Sequence, residues 1–370
     1  MNFKEIIKTN LKNIPGKHIK KKYVVIECDD WGGIRMPSKK VHEKIIKSGL
    51  NIKPSRYDYD TLASSEDLQI LFECLEQVKD SKGNSAVITA VCNMTNPDFD
   101  KIKESGYKTY FYEPFTHTLE KYYDNNVFNI WRQGIDRGIF FPELHGREHI
   151  SVQVWMEELR QGNEELRTAF DHGFVSLCLS NIHKEVQGFR PEFFFASEHH
   201  IPFLKQSIFD AVKIFETTFE FKPEVFAPSN LVFHPIFEKS LAKSGIKYLY
   251  VNRNMTIPDS RGSIKVKKYT PGKKTNDGLI YYTRNCVFEP TEKNYRGIEY
   301  TLKQIEASFR WGKPANISTH RANFMGTICK ENRDAGISEL EKLLKQIVKK
   351  WPDVEFVTSR EAMNNYFYLL

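Results

Sequence analysis

Short apolar runs rich in β-branched residues alternate with helix-periodic segments along the whole of this 370-residue chain. That alternation admits few folds other than βα units around a mainly parallel sheet or barrel. Strands are expected at 23–28, 86–92, 139–144, 174–179, 224–227, 247–251, 279–284, 315–319 and 354–357. Helices are expected at 65–79, 151–170, 203–219, 233–244 and 337–350, the first capped by Ser64 or Ser65. No internal repeat, low-complexity tract or long linker interrupts the pattern. One α/β fold, a distorted (β/α) barrel with elaborated loops, fits better than two domains. Residues 1–22 would form a basic N-terminal extension and 23–370 the barrel, with excursions at about 93–138 and 252–300.

Lysine and arginine number 54 against 47 aspartates and glutamates, too small an excess to argue for nucleic acid, and no nucleic-acid-binding signature accompanies it. The six cysteines are widely spaced without a C-x-x-C pair, which suits a reducing compartment. The start of the chain lacks a secretory apolar stretch, and no segment approaches the roughly 20 apolar residues of a membrane helix. A cytoplasmic location is the expectation. Phe3, Ile6, Ile7 and Leu11 recur at helical spacing among lysines. A helix packed over one end of the fold is the preferred reading, and weak peripheral contact with anionic lipid is the other. The aromatic-rich excursion could form a sugar-stacking wall, although such rings are more often buried core.

Three stretches carry chemistry. "VVIECDDWGG" ends a strand in Asp29 and Asp30, a pair that implies a metal, a shared proton or a turn cap. "FFPELHGREHIS" places His145 and His149 four apart after another strand, and on a helical turn both rings would face one ion. "ANISTHRANF" ends a strand in His320. Parallel strands in a barrel all deliver their carboxyl ends to one mouth, so these five residues should converge. Each alone has an ordinary structural reading; all three together do not. "SEHH" at 197–200 offers Glu198, His199 and His200, but neighbouring histidines point apart and chelate poorly.

"ECDDWG", "HGREH", "FAPSN" and "ISTHR", in this order, resemble the signatures of the polysaccharide deacetylase (NodB-homology) family, from about residue 22 to "FVTSRE" near the end. The resemblance implies a barrel of the polysaccharide deacetylase type and a metal-dependent hydrolase that removes acetyl groups from N- or O-acetylated sugars. It assigns Asp29 as base, Asp30, His145 and His149 as ligands of a divalent ion, most simply Zn²⁺, and His320 as the acid. Ser229 falls where the family holds the oxyanion with a backbone N–H. An acetylated saccharide, nucleotide-linked or lipid-linked, is the implied partner, in surface polysaccharide or glycoconjugate assembly.

The match departs at two places. "VFAPSN" has Phe226 and Ala227 where an arginine should orient the base, leaving Arg147 or Arg321 as substitutes. The acidic and tryptophan motif that tunes the acid histidine has only Trp311 and Glu361 as candidates. Two alternatives stay open: a non-catalytic carbohydrate-binding protein on the same fold, and a hydrolase of another C–N or glycosidic bond.

Overall fold

A computed structural model of the chain describes residues 3–50, 59–123, 126–175, 177, 186 and 188–368. The main sheet comprises β1 (Lys22–Trp31), β2 (Ile88–Asn93), β3 (Phe140–Gly146), β4 (Val225–Phe226), β5 (Tyr248–Tyr250), β6 (Ile280–Tyr282), β7 (Cys286–Val287), β8 (Ala315–His320) and β9 (Val354–Phe356). They lie in the order β6-β5-β4-β3-β2-β1-β8-β7, with β9 against the start of β1, and every pairing is parallel.

This order forces curvature. Laid flat, eight strands would span about 33 Å at the usual spacing of roughly 4.8 Å. Yet β6 and β7, at opposite ends of the order, are joined only by residues 283–285, which reach no more than about 14 Å. The sheet therefore bends until its two edges meet. Asn316 on β8 donates through its side chain to Thr283 O and through its backbone to Asn285 Oδ1. The result is a distorted (β/α) barrel.

Strand parity sorts its side chains. Val24, Ile26 and Cys28 of β1 face outward into the large core beneath the helices, with Phe140 and Leu144 of β3 and Ile317 of β8. Val25, Val91, Val225, Tyr248, Tyr250, Ile280 and Tyr282 form a second, inner cluster, plugged by Ala362 and Met363 of the helix Ser359–Phe367. The inward register of β1 continues through Glu27, which is wholly buried. Its carboxylate accepts from Tyr282 Oη at 3.0 Å and Ser359 Oγ at 2.8 Å, and pairs with Arg284 Nε. One acidic side chain thus ties the first strand to both the seam and the plug.

Of the strand expected at 174–179, residues 176, 178 and 179 lie outside the described residues, and Phe174, Val175 and Leu177 are buried but in no strand. The helix expected at 151–170 is two, Val152–Gln161 and Glu164–Asp171, because Gly162 takes a left-handed conformation and Asn163 caps the second. The segment 93–138 holds a ribbon (Thr95–Pro97 with Tyr112–Pro114) and the helices Phe99–Glu104, Phe115–Tyr122 and Val127–Asp136. Its Phe115 and Trp131 are core, with Trp131 edge-on to Trp31 and Phe140. The N-terminal helix Phe3–Asn13 docks by its polar side. Thr9 and Asn13 are buried and Asn10 binds Trp311 Nε1, while Phe3, Ile6, Ile7 and Leu11 remain exposed. No helix among the described residues is long and apolar enough to cross a membrane.

Removing the inner anchor should be costly, because Arg284 would keep its buried charge with one partner fewer. Glu27→Ala is expected to lower unfolding free energy by about 3–5 kcal/mol, measured as a fall in the urea midpoint.

Candidate active site

The carboxyl ends of β1, β3 and β8 open on a cleft of about 210 Å³ lined by Asp29, Asp30, His145, His149, Arg284 and His320 among others. Parity alone brings Asp29, His145 and His320 to it, since they continue the inward series through Glu27, Glu143 and Ser318. It should send Asp30 the other way. A bulge prevents this: the register of β1 against β2 shifts between Cys28 and Trp31, and Asp30 has φ 76°. Two consecutive carboxylates therefore face the same cleft, at the expense of a left-handed backbone in a non-glycine residue. Gly32 follows with φ 76°, where a Cβ would strike the backbone oxygen of Asn93.

The histidine pair is not built on a helical turn, contrary to the spacing argument. His145 is the penultimate residue of β3 and His149 lies in the bend after it. Gly146, at φ 150°, makes the bend, and any side chain there would run into the Glu192 carboxylate. Asp30 Oδ1 lies 3.4 Å from His145 Nε2 and 3.1 Å from His149 Nε2. All three ligand atoms fall within 4.8 Å of one another. His145 Nδ1 is 2.6 Å from Ala227 O, so that nitrogen carries the proton and Nε2 presents its lone pair. Two imidazoles and a carboxylate, converging with lone pairs toward one point, suit a small divalent ion.

Burial raises the Asp30 carboxyl, but the Arg35 charge heads the influences that oppose it, and the group is held well below the usual carboxylate range. Burial, with Arg35 adding to it, lowers the His149 imidazole to about 4. For Asp29 burial again works upward, and Arg284 overcomes it, leaving the carboxyl below its ordinary value. All three are in the state that ligation or base chemistry needs at neutral pH.

Neither arginine proposed to orient the base does so. Arg147 binds Glu148 and Asp210 and stacks on Tyr112 and Phe203, while Arg321 lies in the core on Asp60 and Gly33 O. Arg284, from the seam, takes the position instead. Its Nη1 is 2.5 Å from Asp29 Oδ2, its Nη2 is 2.7 Å from Oδ1, and its guanidinium sits 4.3 Å from the Tyr250 ring centre. The candidates for tuning His320 also lie elsewhere. Trp311 binds Asn10, and Glu361 completes a capping box with Thr358. Glu289 is the partner: its Oε1 is 2.6 Å from His320 Nδ1 and its Oε2 accepts from Asn323 at 2.8 Å. His320 Nε2 then stands 3.9 Å from Asp29 Oδ2 across the cleft. The sequence signal for both was position, an arginine at the end of an expected strand and a glutamate five residues on.

Ser229 is buried behind the cleft wall of Pro228, Asn230 and Leu231, its hydroxyl accepting from Glu192 N–H at 2.8 Å. Glu198, His199 and His200 share one short turn in which His200 binds Glu157. Among the described residues, the one group that could hold a metal is Asp30, His145 and His149.

No family model matches the chain, and no curated protein does. Solved structures of similar overall shape include a 4-alpha-glucanotransferase from Thermococcus litoralis (11% identity, TM-score 0.46, 94% of this chain but 41% of that one). A putative polysaccharide deacetylase from Mycobacterium smegmatis is similar at 10% identity and TM-score 0.44, covering 96% and 93%. Puue allantoinase is similar at 12% identity and TM-score 0.43, covering 97% and 93%. Likenesses this low carry no argument about chemistry, which rests on the residues.

Asp29, Asp30 and His149 all hold fewer protons folded than unfolded, so their stabilisation is complete above the unfolded histidine value and is lost on acidification. In chelator-treated protein the loss between pH 6.5 and 4 should be on the order of 3 kcal/mol from His149 alone. Denaturant midpoints across that range should fall steeply for the wild type and less for His149→Asn.

Proposed function

We propose that the protein is a metal-dependent hydrolase that removes an acetyl or other acyl group from an N- or O-acetylated sugar. What carries this reading is a single arrangement: a three-ligand set, Asp30, His145 and His149, beside a carboxylate, Asp29, that is held in place but is not part of the set. A divalent ion such as Zn²⁺, bound there, would supply a Lewis acid that polarises the acyl oxygen and acidifies water.

The chain's own groups do the rest. Asp29, locked by both arms of Arg284 with its charge retained, accepts the proton of the attacking water. Bidentate pairing fixes the carboxylate plane, which a monodentate partner would leave free to rotate. The sequence resemblance assigns the developing oxyanion to the backbone N–H of Ser229, behind the cleft wall formed by Pro228, Asn230 and Leu231. His320, its Nδ1 against Glu289, carries its other nitrogen toward Asp29 and protonates the departing amine or alcohol. Glu289 holds the ring in the orientation that this step requires. Against a non-catalytic reading stands Arg284, paired with both oxygens of Asp29 where an orienting arginine is needed. Acetylated sugar as substrate rests on the sequence resemblance.

Loaded with Zn²⁺ and offered acetylated amino sugars, free and nucleotide-linked, the protein should release acetate. Asp29→Asn should cut turnover by about 10²–10⁴-fold with metal content unchanged. Arg284→Met, which also strands Glu27, should lower stability, and in protein shown by circular dichroism to be folded it should lower kcat by about 10²-fold through misorientation of the base. Acetate release from none of the sugars by protein with a full metal complement would defeat the proposal.

A further inference from the structure

Arg35 follows Asp30 by five residues and is almost completely buried at the cleft. Its Nη2 lies 2.9 Å from His149 Nε2 and 3.0 Å from Asp30 Oδ2, while its Nε lies 3.0 Å from Asp60 Oδ2. A guanidinium has five donors and no acceptor. A hydrogen bond between Arg35 and His149 therefore has Arg35 as donor and Nε2 as acceptor, using its one in-plane lone pair, and in that tautomer the 3.1 Å approach of Nε2 to Asp30 Oδ1 is not a hydrogen bond. That is the lone pair His149 would offer a metal ion. Geometry sets the two cations in competition: Nε2 can serve Arg35 or the ion, not both.

We propose that Arg35 is a built-in competitor for the metal, a tethered cation that must surrender His149 Nε2 before an ion is bound. The inference rests on the metal-site reading above. The alternative tether is already present. Asp60, fully buried, holds Arg35 on one oxygen and Arg321 on the other, so Arg35 can release the imidazole and keep a buried carboxylate partner. Replacement of Arg35 by a neutral side chain frees the ligand, removes a positive charge next to the ion and tightens binding. The usual effect of a residue that supports a ligand carboxylate has the opposite sign, because loss of such partners typically weakens binding by about 10–100-fold.

The sign of the change is the test. Full-length protein, stripped with chelator, is titrated with Co²⁺ and followed by its visible d–d absorption, for wild type, Arg35→Met, Arg35→Lys and His145→Ala. Circular dichroism verifies each fold. Arg35→Met is expected to bind Co²⁺ at least about tenfold more tightly than wild type, and His145→Ala more weakly. If Arg35→Met does not fold, Arg35→Lys carries the test. It keeps a charge for Asp60 but loses the planar fork, and it too should bind more tightly than wild type. Equal or weaker binding by the folded Arg35 variants, with wild type binding normally, would overturn the proposal and leave the metal site standing. Saturable Co²⁺ binding by none of the chains would overturn the site and the proposal together.

Discussion

The clasp of Arg284 between Glu27 and Asp29 is the interaction on which the rest depends. The arginine lies in the short connector that joins the two extreme strands of the sheet, and both carboxylates lie on the inward face of the first strand. Closing the barrel and orienting the candidate base are therefore one event. Three buried charges would be unfavourable apart. Together, with Tyr282 and Ser359 satisfying Glu27 and the Tyr250 ring against the guanidinium, they form a network without an idle charge.

Around that clasp the site separates two kinds of acid. Asp29 and Asp30 are neighbours in the chain and differ in company: one is gripped by both arms of Arg284, the other faces two imidazoles and shares Arg35 with Asp60. A strand bulge makes the division. Without it, regular alternation would turn one carboxylate outward, away from the cleft. The strained backbone of Asp30 is thus a condition of the chemistry rather than a flaw beside it.

Much of this was legible. Parallel strands leave a clear record, short β-branched runs ended by glycine or a polar residue, and the three motifs at strand ends pointed to one mouth. What could not be read is whatever depends on closure. Arg284 and Asp29 are 255 residues apart, and an arginine after a strand looks like a solvated terminator until the seam is drawn. Glu289 was hidden for the same reason, since its histidine is on a strand it meets only in space. The spacing of His145 and His149 suggested the right pair through the wrong element, because four residues bridge a glycine bend as well as a helical turn. The alternation that counted against a histidine pair at 199–200 would have counted against Asp29–Asp30 too, and no residue in "ECDDWG" announces the bulge.

The position of the first strand has a consequence for how the chain is made. β1 is interior, yet its partner on one side, β8, begins at Ala315. On a ribosome adding roughly 5–20 residues per second, that side of the strand waits on the order of 15–60 s with its hydrogen-bonding edge unpaired and Glu27 without its arginine. An inward-pointing acid is a poor guest in an aggregate, so the same carboxylate that anchors the finished barrel guards the nascent one against wrong pairings.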